Sequence, residues 1–191
     1  MTQVVRSELI LGGQKSGKSR RAETLAQLWL AETPQRSTLL IATAQAFDDE
    51  MQLRIERHRQ DRLMRIPSMR TIEEPLALAA TIKAHSQPKT LIVVDCLTLW
   101  LTAHLMPSDS HFAHSSTDWQ ALATDLCSVI AQARGPLVLV GNEIGLGVIP
   151  LGQEVRAFVD ALGLLNQMVA ATCERVTLMT AGLPLALKGS V

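Results

Sequence analysis

Short apolar runs alternate along this chain with longer segments whose apolar residues recur every three or four positions. The short runs predict strands at Glu8–Leu11, Thr38–Ala42, Thr90–Asp95, Leu137–Val140, Val176–Thr180 and Leu185–Lys188, with Arg65–Thr71 a further short edge strand. The periodic segments predict helices over Lys18–Ala31, Asp48–Arg62, Pro75–Ala84, Leu97–Leu105, Asp118–Ala133 and Gln153–Thr172. Pro75 at a helix start and Gly135-Pro136 after a helix end punctuate the pattern. Near-continuous apolar strands alternating with helices describe an α/β domain, with a mainly parallel sheet flanked by helices in three layers. At 191 residues the chain is read as one domain, 1–191, with a full core.

The first predicted strand runs into Gly12-Gly13-Gln14-Lys15-Ser16-Gly17-Lys18-Ser19, which matches the phosphate-loop pattern G-x-x-x-x-G-K-[ST]. A helix follows at once, which is the context the motif requires. Glycines let the backbone wrap tightly, so its N–H groups converge on phosphate oxygens and the helix dipole adds to them. Lys18 would reach the outer phosphates and Ser19 would hold Mg²⁺. The domain is therefore expected to be a P-loop nucleotide-binding fold.

Composition removes several function classes. Lys+Arg and Asp+Glu both total 18, so no basic excess points to nucleic acid or a membrane surface. Aromatics make up 3% with no Tyr, a poor supply of stacking platforms for single strands. No apolar stretch is long enough to span a bilayer, and no signal-peptide pattern opens the chain. Cys96, Cys127 and Cys173 lack metal-ligand spacing and read as reduced, mostly buried thiols of a cytoplasmic protein.

Other residues then become candidates for chemistry. Asp95 ends an apolar strand, where it either orients Mg²⁺ beside a phosphate loop or caps the helix that begins near Leu97. The helix carrying Asp48–Arg62 is acidic at its start and basic at its end, which suits the macrodipole. Met51, Ile55 and His58 share a helical face, so His58 is expected to point toward the protein body. His58 is then either a satisfied packing residue or a nucleophile, with Arg59 and Arg62 supplying positive charge for a phosphorus centre. Thr43-Ala44-Gln45 follows the second strand and places polar groups at the carboxyl edge of the sheet, where ligands bind in open α/β folds. Glu73-Glu74 precedes a helix, either as charge complementarity or as an acceptor for the paired N–H donors of guanine. Asn142-Glu143 follows the fifth strand, where active-site carboxamides and carboxylates often lie. His85, His104, His111 and His114 show no spacing with carboxylates or thiols and read as surface or packing residues. Arg156, Asp160, Asn166 and Gln167 read as solvent-facing.

Taken in order, LILGGQKSGKSRRAE, LIATAQAFDDEMQLRIERHR, TIEEPLALA, VVDCLTLWLT, VGNEIGLGVIP, RAFVDALGLLNQMVA and AGLPLALK cover most of Leu9–Lys188. They resemble the adenosylcobinamide kinase / adenosylcobinamide-phosphate guanylyltransferase family of cobalamin biosynthesis. The resemblance implies a bifunctional, often trimeric enzyme. It would phosphorylate adenosylcobinamide with ATP or GTP, then transfer GMP from GTP to adenosylcobinamide phosphate through a guanylylated histidine. That histidine falls on His58. By the same carry-over Gly12–Ser19, Thr43, Ala44, Gln45, Arg59, Gln60, Asp61, Arg62, Glu73 and Asp95 would contact GTP, with Ser19 and Asp95 holding Mg²⁺. The chain departs from the family pattern at Leu63, Met69, Ala103 and Val159.

Two other classes compete with this reading: a simple P-loop small-molecule kinase that forms no covalent nucleotide, and a nucleotide-dependent switch. A label from GTP that is acid-labile and alkali-stable, as a phosphoramidate is, separates the first from a guanylyltransferase.

Overall fold

A computed structural model describes residues 3–45, 49–106 and 118–190, apart from the side chains of Met51 and Arg54. Among these residues the chain forms β1 (Ser7–Gly12), α1 (Lys18–Glu32), β2 (Ser37–Ala42), α2 (Asp49–Arg65), β3 (Arg70–Glu73), α3 (Leu78–His85), β4 (Thr90–Asp95), α4 (Leu97–Leu105), α5 (Trp119–Gln132), β5 (Leu137–Val140), α6 (Gln153–Thr172), β6 (Arg175–Thr180) and β7 (Leu183–Lys188). The strands make one sheet in the order β3-β2-β4-β5-β1-β6-β7. All neighbouring pairs are parallel except β6 with β7.

Side-chain alternation along the strands divides the core in two. Leu9, Leu11, Leu39, Ile41, Ile92, Val94, Leu137 and Leu139 face one layer, with α3, α4, α5 and α6 packed on it. Ile10, Leu40, Leu91, Val93, Val138 and Val140 face the other, covered by α1 and by Ile66 and Met69 after α2. Both faces are thus buried, which is why the central strands read as near-continuous apolar runs.

Element existence and type agree with the sequence pattern, and the boundaries shift most around α2, β3 and α3. Helix α2 runs on to Arg65, and Pro67, which cannot continue a helix, lets the chain turn before β3. The edge strand therefore lies at Arg70–Glu73 rather than Arg65–Thr71. Helix α3 begins at Leu78 rather than Pro75, because the Glu74 carboxylate accepts the N–H groups of Leu76 (3.0 Å) and Ala77 (2.8 Å) and holds a turn ahead of it. Asp118 caps α5 by accepting from Ala121 N–H at 3.1 Å. His111 and His114 lie outside the described residues, as does Asp48.

A charge cluster is sealed under the first strand. Glu8, 1% exposed, accepts from Arg21 Nε (2.9 Å), Arg175 Nη1 (3.1 Å) and Thr177 Oγ1 (2.9 Å). It joins β1, α1 and β6 at the base of the phosphate-loop helix. Glu8→Ala would leave two buried guanidiniums without a counter-charge. We expect it to lower unfolding stability by about 3–5 kcal/mol, measured by denaturant titration.

Candidate active site

The loop between β1 and α1 is shaped by two glycines that no other residue replaces. Gly12 has φ 152°, and a Cβ there would sit 2.5 Å from the Met179 carbonyl oxygen. Gly17 takes the left-handed conformation at the N-cap of α1, and a Cβ would press against Gly182 at 3.2 Å. Because Gly17 has no side chain, α1 starts without a side-chain cap and without an acidic residue in its first turn. Its first amides and the positive end of its dipole are left for an anion. The turn between β6 and β7 supports the loop from behind, Gly182 N–H donating to the Ser16 carbonyl at 3.0 Å. Lys18 Nζ folds back over the loop and donates to the Gly13 carbonyl at 2.6 Å. Burial lowers the Lys18 pKa, while the nearby Cys96 and Asp95 oppose that shift.

Asp95 resolves one of the two alternatives. The N-cap residue of α4 is Cys96 and no side chain caps that helix, so Asp95 is not a helix cap. Its Oδ2 instead accepts from Ser19 Oγ at 3.0 Å. Two hard oxygen donors thus meet beside Lys18, a donor set that suits Mg²⁺ completed by phosphate oxygens and water. Among the described residues no cluster of three His, Cys, Asp or Glu could hold a metal by itself. Arg62 lines the small cleft on the other side of Ser19 and Asp95, together with Glu23. Its own pKa is lowered by burial, against which Asp95 and Glu23 favour its charge. The neighbouring Cys96 thiol is pushed up to about 11, chiefly by burial, and stays neutral.

Thr43 was expected among the nucleotide contacts, yet its side chain is 1% exposed and turned inward. The hydroxyl donates to the Cys96 carbonyl (2.7 Å) and accepts from Cys96 N–H (2.8 Å), while Thr43 N–H donates to the Asp95 carbonyl (3.1 Å). Thr43 therefore clamps the end of β4 and sets the position of Asp95. Thr43→Val keeps the shape and removes both hydroxyl bonds. It should destabilise the fold by about 2 kcal/mol in denaturant titration, and Thr43→Ser should recover that loss.

A groove of about 920 Å³ opens where α2 leans over the β3 edge of the sheet. Ala42, Ala44, Gln45, Glu73 and Pro75 form the sheet side, and Asp49, Gln52, Leu53, Ile55 and Glu56 the helix side. Glu73 and Glu74, adjacent in sequence, part ways here: Glu73 faces the groove and Glu74 holds the turn before α3.

His58 corrects one expectation. The ring was expected to point toward the protein body, but His58 is exposed and does not line the groove, and Arg59 and Gln60 are exposed with it. Asp61 and Arg62 are half-buried. The reason is how α2 is attached. It is tied down at its C-terminal end, by Gln27 Nε2 donating to the Arg65 carbonyl (3.1 Å), by the Arg65–Glu23 ion pair (2.7 Å) and by the buried Ile66. Its N-terminal half borders the open groove instead of packing against the sheet.

Sequence reasoning also missed Asn166. It reads as solvent-facing on α6 but is 5% exposed, and its Nδ2 donates to the Asn142 carbonyl at 3.1 Å. The signal was present: Leu162, Leu165 and Val169 sit on the same stripe of the helix. Arg156, Asp160 and Gln167 are exposed as expected, and His104 packs edge-on against Trp100.

Fold and site together define a P-loop nucleotide-binding class, with the loop, a metal-suited oxygen pair and an open groove along one sheet edge. The family model for cobinamide kinase / cobinamide phosphate guanyltransferase matches residues 8–187, and the chain belongs to that family. The bifunctional adenosylcobalamin biosynthesis protein CobP of Pseudomonas aeruginosa is 46% identical over 182 residues, covering 95% of this chain and 97% of that protein. The bifunctional adenosylcobalamin biosynthesis protein CobU of Escherichia coli K12 is 35% identical, covering 94% and 98%. Among solved structures, the flagellar accessory protein FlaH of Methanocaldococcus jannaschii aligns with a TM-score of 0.52 at 12% identity. That alignment covers 97% of this chain and 79% of FlaH, and the likeness is one of fold.

Proposed function

We propose that this chain phosphorylates the aminopropanol hydroxyl of adenosylcobinamide with ATP or GTP, and then transfers GMP from GTP to the resulting phosphate through a guanylyl group on His58. Membership of the family is the first support, since its description names a kinase and a guanyltransferase. The observation that carries the reading to particular residues is their order along the carboxyl edge. Glu73, Thr43–Gln45, Asp95 and Gly12–Ser19 lie at the carboxyl ends of β3, β2, β4 and β1, with β5 between the last two. Strands lie about 4.8 Å apart, so the four spacings from β3 to β1 amount to roughly 19 Å. An extended nucleoside triphosphate suits that span, its base at the acidic groove and its phosphates at Lys18. Glu73 accepts the N1–H and N2–H₂ donors of guanine in this arrangement, which favours GTP over ATP in the groove.

In the kinase step Lys18 and the loop amides hold the transferring phosphoryl group, and positioning and electrostatics do most of the work. Mg²⁺ held by Ser19 and Asp95 would neutralise charge on the phosphates. In the guanylyl step a neutral His58 attacks the α-phosphorus and pyrophosphate leaves. Because His58 faces solvent in the free chain, α2 must pivot about its anchored C-terminal end to bring the imidazole over the groove. Arg59 and Arg62 travel with it as charge partners.

The reading includes a homo-oligomer, trimeric by family resemblance. Every residue of β7 is exposed, including Leu183, Leu185 and Leu187, and so are Leu53, Leu63 and Met64 on α2. Apolar surface on this scale favours association. Among the described residues no helix is long and apolar enough to cross a membrane, and the reading assigns the enzyme to the cytoplasm, where its nucleotides are.

The test combines adenosylcobinamide, Mg²⁺ and each triphosphate in turn, with mass spectrometry of small molecules and of protein. Adenosylcobinamide phosphate, the GDP-linked product and a protein adduct of one GMP are expected. Phosphorylation without any adduct would leave a simple kinase. Nucleotide turnover indifferent to the corrinoid would leave a switch.

A further inference from the structure

A kinase also needs a group that takes the proton from the attacking hydroxyl, and none of the residues placed so far does this. The sheet order singles out one segment. Strand β5 lies between β4, which ends in Asp95, and β1, which runs into the phosphate loop. The segment leaving the carboxyl end of β5 therefore emerges about one strand spacing from each. That segment is Gly141-Asn142-Glu143.

It is held in place from three sides. Gly141 N–H donates to the Ile10 carbonyl (2.9 Å) and Glu143 N–H to the Gly12 carbonyl (3.1 Å), which joins it to the first residue of the loop itself. Asn142 N–H donates to Thr98 Oγ1 on α4 (2.8 Å), and Asn166 on α6 holds the Asn142 carbonyl. Buried side chains from two helices are thus spent on fixing a backbone that carries one half-buried carboxylate.

The other carboxylates near the loop are committed. Asp95 is bonded to Ser19, and its successors Cys96 and Leu97 bring no second acid. Glu23 is paired with Arg65. Asp49, Glu56 and Glu73 line the groove, with Glu73 four strand positions away from the loop. Among the described residues Glu143 alone combines nearness to Gly12 with an open oxygen. Its Oε1 accepts from Gly145 N–H at 2.8 Å, which fixes the side chain, and its Oε2 takes no hydrogen bond among the described residues. Directly beyond it Ile144, Leu146, Val148 and Ile149 are exposed, an apolar apron suited to a large ring-bearing acceptor.

We propose that Glu143 is the catalytic base of the kinase step, binding the acceptor hydroxyl beside the phosphate loop; this rests on the kinase half of the proposed function. As the hydroxyl oxygen bonds to the γ-phosphorus, its proton passes to Glu143 Oε2. The bond from that phosphorus to the β–γ bridging oxygen breaks with its electron pair, and the nucleoside diphosphate departs. The guanylyl step makes no use of Glu143, because its acceptor is already an ionised phosphate and its nucleophile is an imidazole.

Glu143→Gln separates these roles, since the amide oxygen still accepts from Gly145 N–H but the group can no longer take a proton. Three rates are measured on wild type and variant: phosphorylation of adenosylcobinamide, guanylylation of the protein by GTP, and GMP transfer to preformed adenosylcobinamide phosphate. The expected result is a loss of about a hundred-fold in kcat for phosphorylation. The two guanylyl reactions and the KM for the triphosphate should stay within two-fold. Phosphorylation by the variant at wild-type rate would overturn the assignment. A parallel fall in all three rates would also overturn it, because Glu143 would then serve only to shape the loop. A wild-type protein that fails to phosphorylate adenosylcobinamide would sink the kinase reading, and this inference with it.

Discussion

Lys18→Ala is expected to reduce phosphorylation of adenosylcobinamide about a thousand-fold, the scale lost when a preorganised charge on a transferring phosphoryl group is removed. That corresponds to about 4 kcal/mol of transition-state stabilisation. The geometry explains why so much rests on one side chain. Lys18 opens α1 directly after the left-handed Gly17, its Nζ lies over the loop carbonyl of Gly13, and Ser19 follows it onto Asp95. Guanylylation should fall as well, since the proposed function has the same loop grip the GTP phosphates in that step. The loss will not come from unfolding. Burial lowers the Lys18 pKa, so folding disfavours its charged form. With the folded pKa below the unfolded one, the unfolded chain holds more protons between the two values. Stability then rises with pH through that window, and the charge weighs against folding below it. The alanine variant should accordingly melt no lower than wild type in the absence of nucleotide. Steady-state kinetics and a thermal melt on one preparation check both statements. Undiminished phosphorylation would remove Lys18 from the machinery.

His58→Ala separates the two activities from the other side. Without an imidazole no guanylyl group can be carried, so labelling of the protein by α-³²P-GTP should vanish, and with it GMP transfer. Phosphorylation should survive within a few-fold, because Lys18, Ser19, Asp95 and Glu143 belong to other elements. His58 is exposed on α2, and the substitution should shift stability by no more than about 0.5 kcal/mol. Adduct formation at the wild-type level would refute the nucleophile assignment. A variant that lost phosphorylation to the same degree would show instead that α2 serves both steps through its placement.

The contrast between these two residues bears on how the enzyme must work. Lys18 is already held over the phosphate loop, where the proposed function has it act. His58 is not, and in the free chain it stands on a helix whose N-terminal half overhangs a groove instead of packing on the sheet. A helix anchored at one end through Arg65 and Ile66 is suited to closing over a ligand. Closure of this kind would also keep the guanylyl-histidine from water until the second substrate arrives.

Much of this was legible in the residues. Continuous apolar runs and helical segments with period 3.6 placed β4, β5, α4 and α6 to the residue, because both faces of the sheet are covered. The phosphate loop could be read outright, since Gly12 and Gly17 occupy conformations that exclude any side chain. The order of the segments sufficed to suggest the family. What one dimension did not contain was direction. His58 shares a face with Ile55 by spacing, yet whether that face meets protein depends on where the sheet ends beneath α2.

Thr43 and Asn166 make the same point in the opposite sense. A threonine after a strand and an asparagine on a long helix look like surface chemistry. Only the folded chain shows one clamping the Asp95–Cys96 segment and the other holding the Asn142 carbonyl. Glu143 was marked in the sequence only by its place after the fifth strand, without a role. Its nearness to Gly12 is a product of strand order, which sets β5 between β4 and β1. Local pattern thus determined which elements form and where the phosphate-loop motif lies, because those depend on neighbours along the chain. The tertiary structure alone decided which polar groups serve each other and which remain free for substrate, because distant segments compete for the same hydrogen bonds.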